Sequence, residues 1–214
     1  MSEVITPPQM LNAMEVVCDT IEANKDYLSE LDGAIGDGDH GVNMAKCFRL
    51  VKNKLDETPG DEFETILKNV GMVVLNSVGG AMGALYGTFF MRLSQAAAGK
   101  SELGLDDLVQ MFQTAEKGIL DIGRAKVGDK TLVDTLSPSV RSLEKDAQAG
   151  TSLGAALSNF EQAAKTGMTS TTDLVAKMGR ASRLGERTRG HQDAGATSCY
   201  FILQAMVEAF AAGT

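Results

Sequence analysis

The chain has 214 residues, a length that suits one domain with a sizeable core, and its formal charge is −8. This acidic balance argues against nucleic acid and anionic membrane as partners. Its three cysteines match neither a zinc pattern nor a disulfide framework, which favours reduced thiols and a cytoplasmic location. Residues 1–9 have no basic start and no apolar run, so we expect no signal peptide. The most apolar segment, 194–212, contains Gln204 and Glu208, and we expect a buried helix there rather than a membrane span.

The first half of the chain predicts four helices. Thr6 as the flanking residue, Pro7 at the first helical position and Gln9 in a capping box begin the first one. The predicted spans are Pro7 to about Leu31, about Gly41 to Leu55, a third helix capped by Asp61 with Glu64 in its capping-box position, and Ala84 to Ala98.

The second half predicts further amphipathic helices and no strand with period-2 alternation. Their spans are Leu105 to Ile122, a helix to about Gln148 that is capped by Thr131 and Asp134 and contains Pro138, Leu153 to Met168, a short helix ending at Met178, and Thr197 to Ala211. Apolar residues occur in every helix and no linker separates them. The pattern therefore predicts one all-α domain over residues 1–214, a bundle or helical barrel with its loops gathered at the ends.

Three aspartates separated by glycines stand out in the segment 31–43. On one helix, Asp32 and Asp37 would be about 500° apart, and Asp37 and Asp39 about 200°, so they would diverge. Interspersed glycines allow the backbone to leave the helix and bring the carboxylates together. Such a cluster needs a counter-charge, and carboxylate ligands suit a hard divalent cation.

This segment has two other interpretations. An acidic surface turn with glycines for flexibility is the plain alternative. A calcium-binding EF-hand fails on register, because position 12 counted from Asp37 is Phe48, where a bidentate glutamate is required. Magnesium that holds a phosphate fits the residues better.

Four glycine-containing segments each lead into a helix: 36–41, 79–83, 123–131 and 190–195. In an antiparallel bundle alternate loops lie at the same end, and helix N-termini bind phosphate well. Ordinary helix connections are the alternative for any one of them. The third segment resembles a P-loop, but it follows no strand and Asp129 separates Gly128 from Lys130, so we reject that motif.

The segment 177–190 is strongly basic within an acidic chain. It contains five cations and only one anion, Glu186. We expect Arg180 to bind phosphate and other arginines to contact a negatively charged partner, against the alternative of a solvated loop. His40 and His191, the only histidines, both lie in glycine-containing loops, where either could donate a hydrogen bond to phosphate.

These motifs together resemble the nucleotide-binding (L) subunit of dihydroxyacetone kinases, which is equivalent to the C-terminal domain of the one-chain kinases. The resemblance covers nearly the whole chain in motif order and spacing. The matching segments are Ile35–Asn43, Ser77–Ala81, Gly128–Thr131, Gly179–Ser182, Gly185–Arg187 and Gly190–Asp193.

The resemblance implies an eight-helix antiparallel up-and-down barrel with ADP or ATP in a pocket at one end and two magnesium ions that bridge the phosphates to aspartates. It makes Asp32, Asp37 and Asp39 the metal ligands and, with Arg180, the catalytic residues. The implied nucleotide contacts are His40, Gly41, Val42, Asn43, Ala81, Met82, Gly123, Leu132, Arg180, Asp193, Ala194 and Gly195. One residue departs from the pattern: many members have serine where this chain has Met82, so a hydroxyl contact to phosphate is lost.

The resemblance also implies a partner. In this family a separate K subunit holds the triose covalently on a histidine, and this chain has no obvious sugar site. The phosphoryl source stays open: a phosphotransferase-system protein (the M subunit) could recharge bound ADP, or ATP could exchange directly. Two other functions remain alternatives at this stage, a magnesium-dependent hydrolase of a nucleotide derivative and a non-catalytic helical binding module.

Overall fold

The computed structural model describes residues 4–212, and that part of the chain is mostly helical. Its α-helices are α1 (Pro7–Ala23), α2 (Lys25–Ile35), α3 (His40–Glu57), α4 (Phe63–Ser77), α5 (Gly80–Ala96), α6 (Leu105–Gly123), α7 (Val133–Gln148), α8 (Leu153–Ser170) and α9 (Ala194–Ala212). Two short 3₁₀ segments, Thr171–Asp173 and Ala181–Thr188, lie between α8 and α9. Within 4–212 there is no β-sheet, and one isolated bridge joins Ile5 to Leu103. The all-α prediction is confirmed.

Eight of these helices close into a ring. Consecutive helices from α3 to α9 pack side by side, and α1 packs against both α3 and α9 to complete the circle. The remaining helix, α2, lies on α3 and α9. The described chain therefore has nine α-helices rather than the eight that the family resemblance implies. In the part of the chain from 4 to 212, no helix has both the length and the apolarity that crossing a bilayer requires. The predicted domain covers residues 1–214, and the segment expected to hold no signal peptide covers residues 1–9. Residues 1–3 and 213–214 of these ranges lie outside the described residues.

The extra helix arises where the first predicted helix is divided. The backbone N–H of Asn24 donates to the carbonyl of Thr20 at 3.1 Å, and its side-chain amide donates to the same oxygen at 2.8 Å. Asparagine competes with helix continuation in this way, and its φ of −101° and ψ of 10° end α1. A new helix, α2, then begins at Lys25 in a different direction from that of an unbroken helix. The predicted start is confirmed, because Gln9 Oε1 accepts the Thr6 N–H at 2.8 Å.

The predicted short helix that ends at Met178 is wrong. Between α8 and Met178 the structure has one 3₁₀ turn, Thr171–Asp173, and residues 175–177 are irregular. The carbonyls of Thr171 and Leu174, which a continuing helix would use, accept hydrogen bonds from the Lys130 ammonium at 2.5 and 3.2 Å. A long-range side chain therefore bonds to carbonyls just after α8, where the one local bond to them is that of the Leu174 N–H to the Thr171 carbonyl at 3.2 Å.

Other boundaries shift by a few residues. Helix α4 begins at Phe63, and the residue that flanks it is Glu62 rather than the predicted Asp61. Helix α5 begins at Gly80, four residues before the predicted start, because the glycine cluster itself enters the helix. Pro138 lies inside α7, as expected.

Aromatic side chains fill the middle of the ring. Phe48 and Phe90 have ring centroids 6.3 Å apart, Phe89 and Phe112 are 6.2 Å apart, and Phe112 and Phe160 are 4.8 Å apart. Such pairs add about 0.5–1.5 kcal/mol each beyond their buried area. They connect α3, α5, α6 and α8 across a packed interior. Ligand binding is therefore left to the loops at the ends.

Candidate functional site

A cavity of about 750 Å³ opens where the α2–α3, α4–α5, α6–α7 and α8–α9 connections meet. That four alternate connections share one cavity fits the up-and-down order of the ring. Most residues expected at the site lie in its wall, namely Asp32, Asp37, Asp39, His40, Asn43, Ala81, Met82, Gly123, Leu132, Arg180, Asp193, Ala194 and Gly195. The volume is in the range of small-molecule and cofactor sites.

Two of the expected contacts, Gly41 and Val42, are not in the wall. Gly41 is buried against α2, where a Cβ would lie 1.9 Å from the carbonyl oxygen of Lys25 and 2.7 Å from the Ser29 nitrogen. The Val42 side chain is exposed on the outer side of α3. The glycine at 41 is thus explained by the close approach of α2 and α3.

The three aspartates converge at the mouth of the cavity. Asp32 lies in the last turn of α2, while Asp37 and Asp39 lie in the turn before α3. One carboxylate oxygen from each lies within 4.8 Å of the others. Asp32 Oδ2 also accepts the backbone N–H groups of Asp39 at 3.0 Å and His40 at 3.3 Å. Asp32 therefore shapes the turn as well as contributing a carboxylate.

Two glycines make this turn feasible. A Cβ on Gly36 would lie 2.2 Å from Asp32 Oδ1, and Gly38 has a φ of +77°, which favours glycine. The turn breaks the helical path that would separate the carboxylates. Three carboxylates with accessible oxygens suit a hard cation such as Mg²⁺.

Arg180 reaches the same cluster from the α8–α9 connection. Its guanidinium pairs with the Asp37 carboxylate and lies 3.9 Å from an oxygen of Asp39. Gly179, with a φ of +65°, turns the chain just before it. A cluster of three carboxylates and an arginine thus lie side by side.

His40 belongs to a polar network in the cavity wall. Its Nε2 lies 2.8 Å from Ser198 Oγ, which in turn lies 2.7 Å from the Tyr86 hydroxyl. The Tyr86 hydroxyl donates to the carbonyl of Gly195 at 3.1 Å. Burial lowers the pKa of His40 although Asp32 and Asp39 raise it, so the ring favours the neutral form. The network fixes the imidazole between the starts of α3 and α9.

The start of α9 presents backbone N–H groups to the cavity. Asp193 Oδ2 accepts the N–H of Ala196 at 2.7 Å, which caps the helix. Burial raises the pKa of Asp193 to about 6, although this hydrogen bond and the Lys130 ammonium lower it. Ala194 and Gly195 lie in the first turn, where the helix dipole favours an anion.

The third loop contributes residues that sequence reasoning did not assign to the site. Lys130 and Thr131 of this loop line the cavity, as does Tyr86 of α5. Asp134 accepts the N–H of Gly128 at 2.6 Å and that of Thr131 at 2.8 Å, and so folds the loop. The motif at 128–131 is evident in the sequence, but the place where the Lys130 side chain lies depends on residues more than forty positions away. The rejection of a P-loop agrees with the structure, in which α6 and not a strand precedes the loop.

Part of the cavity wall is apolar. Leu85, Ile119 and Ile122 line it, together with Ala81 and Met82 from the start of α5, Gly123 at the end of α6 and Leu132 just before α7. Met82 is partly buried and packs against the core. A ligand with a flat apolar part and a charged part would match this division.

Comparisons with known proteins agree with this geometry. A model of the family described as DAK2 domain matches residues 34–208. The chain is 42% identical over 196 residues to the ADP-binding subunit DhaL of a PEP-dependent dihydroxyacetone kinase from Escherichia coli (strain K12), covering 92% of this chain and 93% of that protein. It is 37% identical over 191 residues to the ADP-binding subunit DhaL of a PTS-dependent dihydroxyacetone kinase from Lactococcus lactis, covering 89% of this chain and 91% of that protein.

Solved structures share the fold. The dihydroxyacetone kinase of C. freundii in its native form aligns with a TM-score of 0.73 and 24% identity over 97% of this chain and 36% of the kinase. Its complex with AMP-PNP and Mg²⁺ aligns with a TM-score of 0.69 and 23% identity over 92% of this chain and 33% of the kinase. The chain thus spans about a third of these kinases. With the fold, the cavity and the relatives in agreement, the chain belongs to the DAK2 domain family.

Proposed function

We propose that this chain, as one domain, is the nucleotide-binding subunit of a dihydroxyacetone kinase, and that its cavity binds ADP or ATP with magnesium. The observation that carries the proposal is the convergence of three carboxylates, Arg180 and several helix N-termini on one cavity with an apolar wall. Two relatives that are described as ADP-binding subunits, each 42% identical to this chain, support the proposal.

In this proposal Asp32, Asp37 and Asp39 hold two magnesium ions. Bound magnesium would neutralise charge on the nucleotide phosphates during phosphoryl transfer. The starts of α3, α5 and α9 donate backbone N–H groups to the phosphates, and the apolar wall packs against the base. Arg180 holds the transferred group through charge-assisted hydrogen bonds.

The acceptor in this proposal is a triose or related ketose held covalently on a partner K subunit. The sugar hydroxyl would enter at the mouth, where the carboxylate cluster and Arg180 are exposed. The phosphoryl source is a phosphotransferase-system M subunit that recharges bound ADP. The PEP-dependent and PTS-dependent relatives support this source over exchange of ATP.

A reconstituted transfer assay tests the proposal. The chain is mixed with a K subunit, dihydroxyacetone and magnesium, and the donor is either ATP, or phosphoenolpyruvate with the phosphotransferase-system proteins and ADP. We expect transfer with the second donor and a loss of about a hundredfold in Arg180→Met, the order found when one charge-stabilising donor is removed. Arg141→Met, which removes an exposed arginine of α7 outside the cavity wall, is the matched control.

Two outcomes would contradict the proposal. One is full transfer by Arg180→Met, which would remove this arginine from the reaction. The other is no transfer with either donor, combined with release of product from an ADP-ribose conjugate by this chain alone, which would favour a hydrolase. Transfer with ATP alone would overturn only the choice of donor.

A further inference from the structure

The connection from α8 to α9, residues 171–193, carries Arg180 to the cavity, and its two ends lie against each other. Gly190 donates its N–H to the carbonyl of Thr172 at 2.8 Å, and Asp193 donates its N–H to Thr171 Oγ1 at 3.0 Å. We call this pair of contacts, between residues 171–174 and 190–193, the neck. Because the connection contains no regular α-helix, the contacts of the neck determine where the two ends of the connection lie.

Lys130 lies at the neck. Its Nζ donates to the carbonyls of Thr171 at 2.5 Å and Leu174 at 3.2 Å on one side, and to the carbonyl of His191 on the other. An ammonium has three N–H donors, so these three carbonyls use all of them. The residue is almost completely buried, with 1% of its surface exposed. One side chain therefore joins both ends of the connection.

The backbone around Lys130 directs this side chain. Its φ of +62° is uncommon for a residue with a side chain. The flanking turn is held by Asp134, which accepts the N–H groups of Gly128 and Thr131. The neighbouring Asp129 carbonyl accepts the N–H of Lys177 at 3.1 Å and provides a second link to the same connection.

A buried ammonium is costly, which makes this arrangement informative. Within residues 4–212 no carboxylate lies within ion-pair distance of Lys130, and burial lowers the pKa of its ammonium. A well-packed apolar side chain is often as stabilising as a buried charge. What the ammonium adds is directional bonding to two separate segments of chain at once.

We propose that Lys130 is a positioning residue that closes the neck and thereby fixes Arg180 and the start of α9 around the phosphate site. The consequence for nucleotide binding rests on the proposed function. Closure of the neck does not, because it can be measured in the protein without nucleotide.

Hydrogen exchange on Lys130→Met tests this role, since methionine keeps most of the volume and removes the three donors. We expect amides of residues 171–193, such as those of Gly190 and Asp193, to exchange at least tenfold faster, while amides of the ring helices keep their rates. ADP affinity in magnesium should fall at least tenfold. Lys165→Met, which removes an exposed cation from α8, is the control and should leave both measurements unchanged.

Each other outcome overturns part of the inference. Unchanged exchange in 171–193 would show that Lys130 does not close the neck. Faster exchange throughout the ring would show that Lys130 supports the whole fold rather than the neck. Lys130→Gln keeps two donors without the charge, and failure of both Lys130→Met and Lys130→Gln to fold would lead to the same conclusion. Faster exchange in 171–193 with unchanged ADP affinity would refute the positioning role. If the wild-type protein bound no ADP, the proposed function would fail, whereas the exchange result would still decide closure of the neck.

Discussion

Replacing Asp39 by asparagine separates cation binding from folding more cleanly than replacing either of the other aspartates. Asp32 accepts two backbone N–H groups, and Asp37 pairs closely with Arg180. Asp39 flanks α3 without a side-chain capping bond, and its side chain is 53% exposed. Asn at this position therefore removes charge and a ligand oxygen with little loss of native hydrogen bonding.

The expected magnitudes follow from the cluster geometry. At 4.8 Å, each carboxylate pair would repel by about 3–4 kcal/mol at an effective dielectric constant of 20. Because these carboxylates are half-exposed, screening reduces the gain from removing one charge to less than about 1 kcal/mol. In contrast, ligand at a hundred times its dissociation constant stabilises the wild-type protein by about 2.7 kcal/mol. For a chain of this size that is a rise in melting temperature of roughly 5–11 °C.

Thermal unfolding with and without magnesium and ADP measures both effects. We expect Asp39→Asn to melt at or slightly above the wild-type temperature without ligand and to lose the ligand-induced rise. Asp61→Asn, an exposed aspartate in the α3–α4 connection, should keep that rise. A full rise in Asp39→Asn would refute the assignment of this carboxylate to the magnesium site.

The remaining predictions concern packing, pH and the core. Gly41→Ala places a Cβ 1.9 Å from the Lys25 carbonyl and should lower the free energy of urea unfolding by about 3 kcal/mol; a loss below about 0.5 kcal/mol would contradict the close approach of α2 and α3. The folded-state pKa of Asp193, about 6, is above its ordinary value of 3.8, so its contribution to stability is complete below pH 4 and is lost as pH rises through 6. The shift corresponds to a loss of at most about 3 kcal/mol in unfolding free energy, and the loss is smaller because the side chain is only partly buried. The pH profile of Asp193→Asn should lack this loss, and parallel profiles for the two proteins would refute the prediction. Phe112→Ala should cost about 3–5 kcal/mol of unfolding free energy, and a cost near zero would show that the ring interior is not closely packed there.

Local signals in the sequence predicted the fold class and the turn at the site. The Asp–Gly alternation in residues 36–39 encodes a departure from the helix, and the structure forms that turn with Gly38 at positive φ. The capping box of Thr6 and Gln9 is equally local and is present. Periodicity could not reveal the break at Asn24, because the apolar positions of α1 and α2 continue the same pattern across it.

Features that depend on distant contacts were missed. The helix predicted up to Met178 is replaced by bonds to Lys130, whose position in space the local sequence does not encode. Likewise, the close packing of α2 on α3, which explains the missing side chain of Gly41, depends on a contact that the local sequence does not encode. The contact of Gly41 with nucleotide, which the family resemblance implies, stays a prediction.

Calorimetric titration of the purified chain with ADP, in magnesium and again after chelation with EDTA, tests the central claim most directly. If the carboxylate cluster holds the cation that binds the phosphates, ADP should bind in magnesium and at least a hundredfold more weakly in EDTA. Equal affinity under both conditions, or no binding in magnesium, would contradict a magnesium–nucleotide site at this end of the ring.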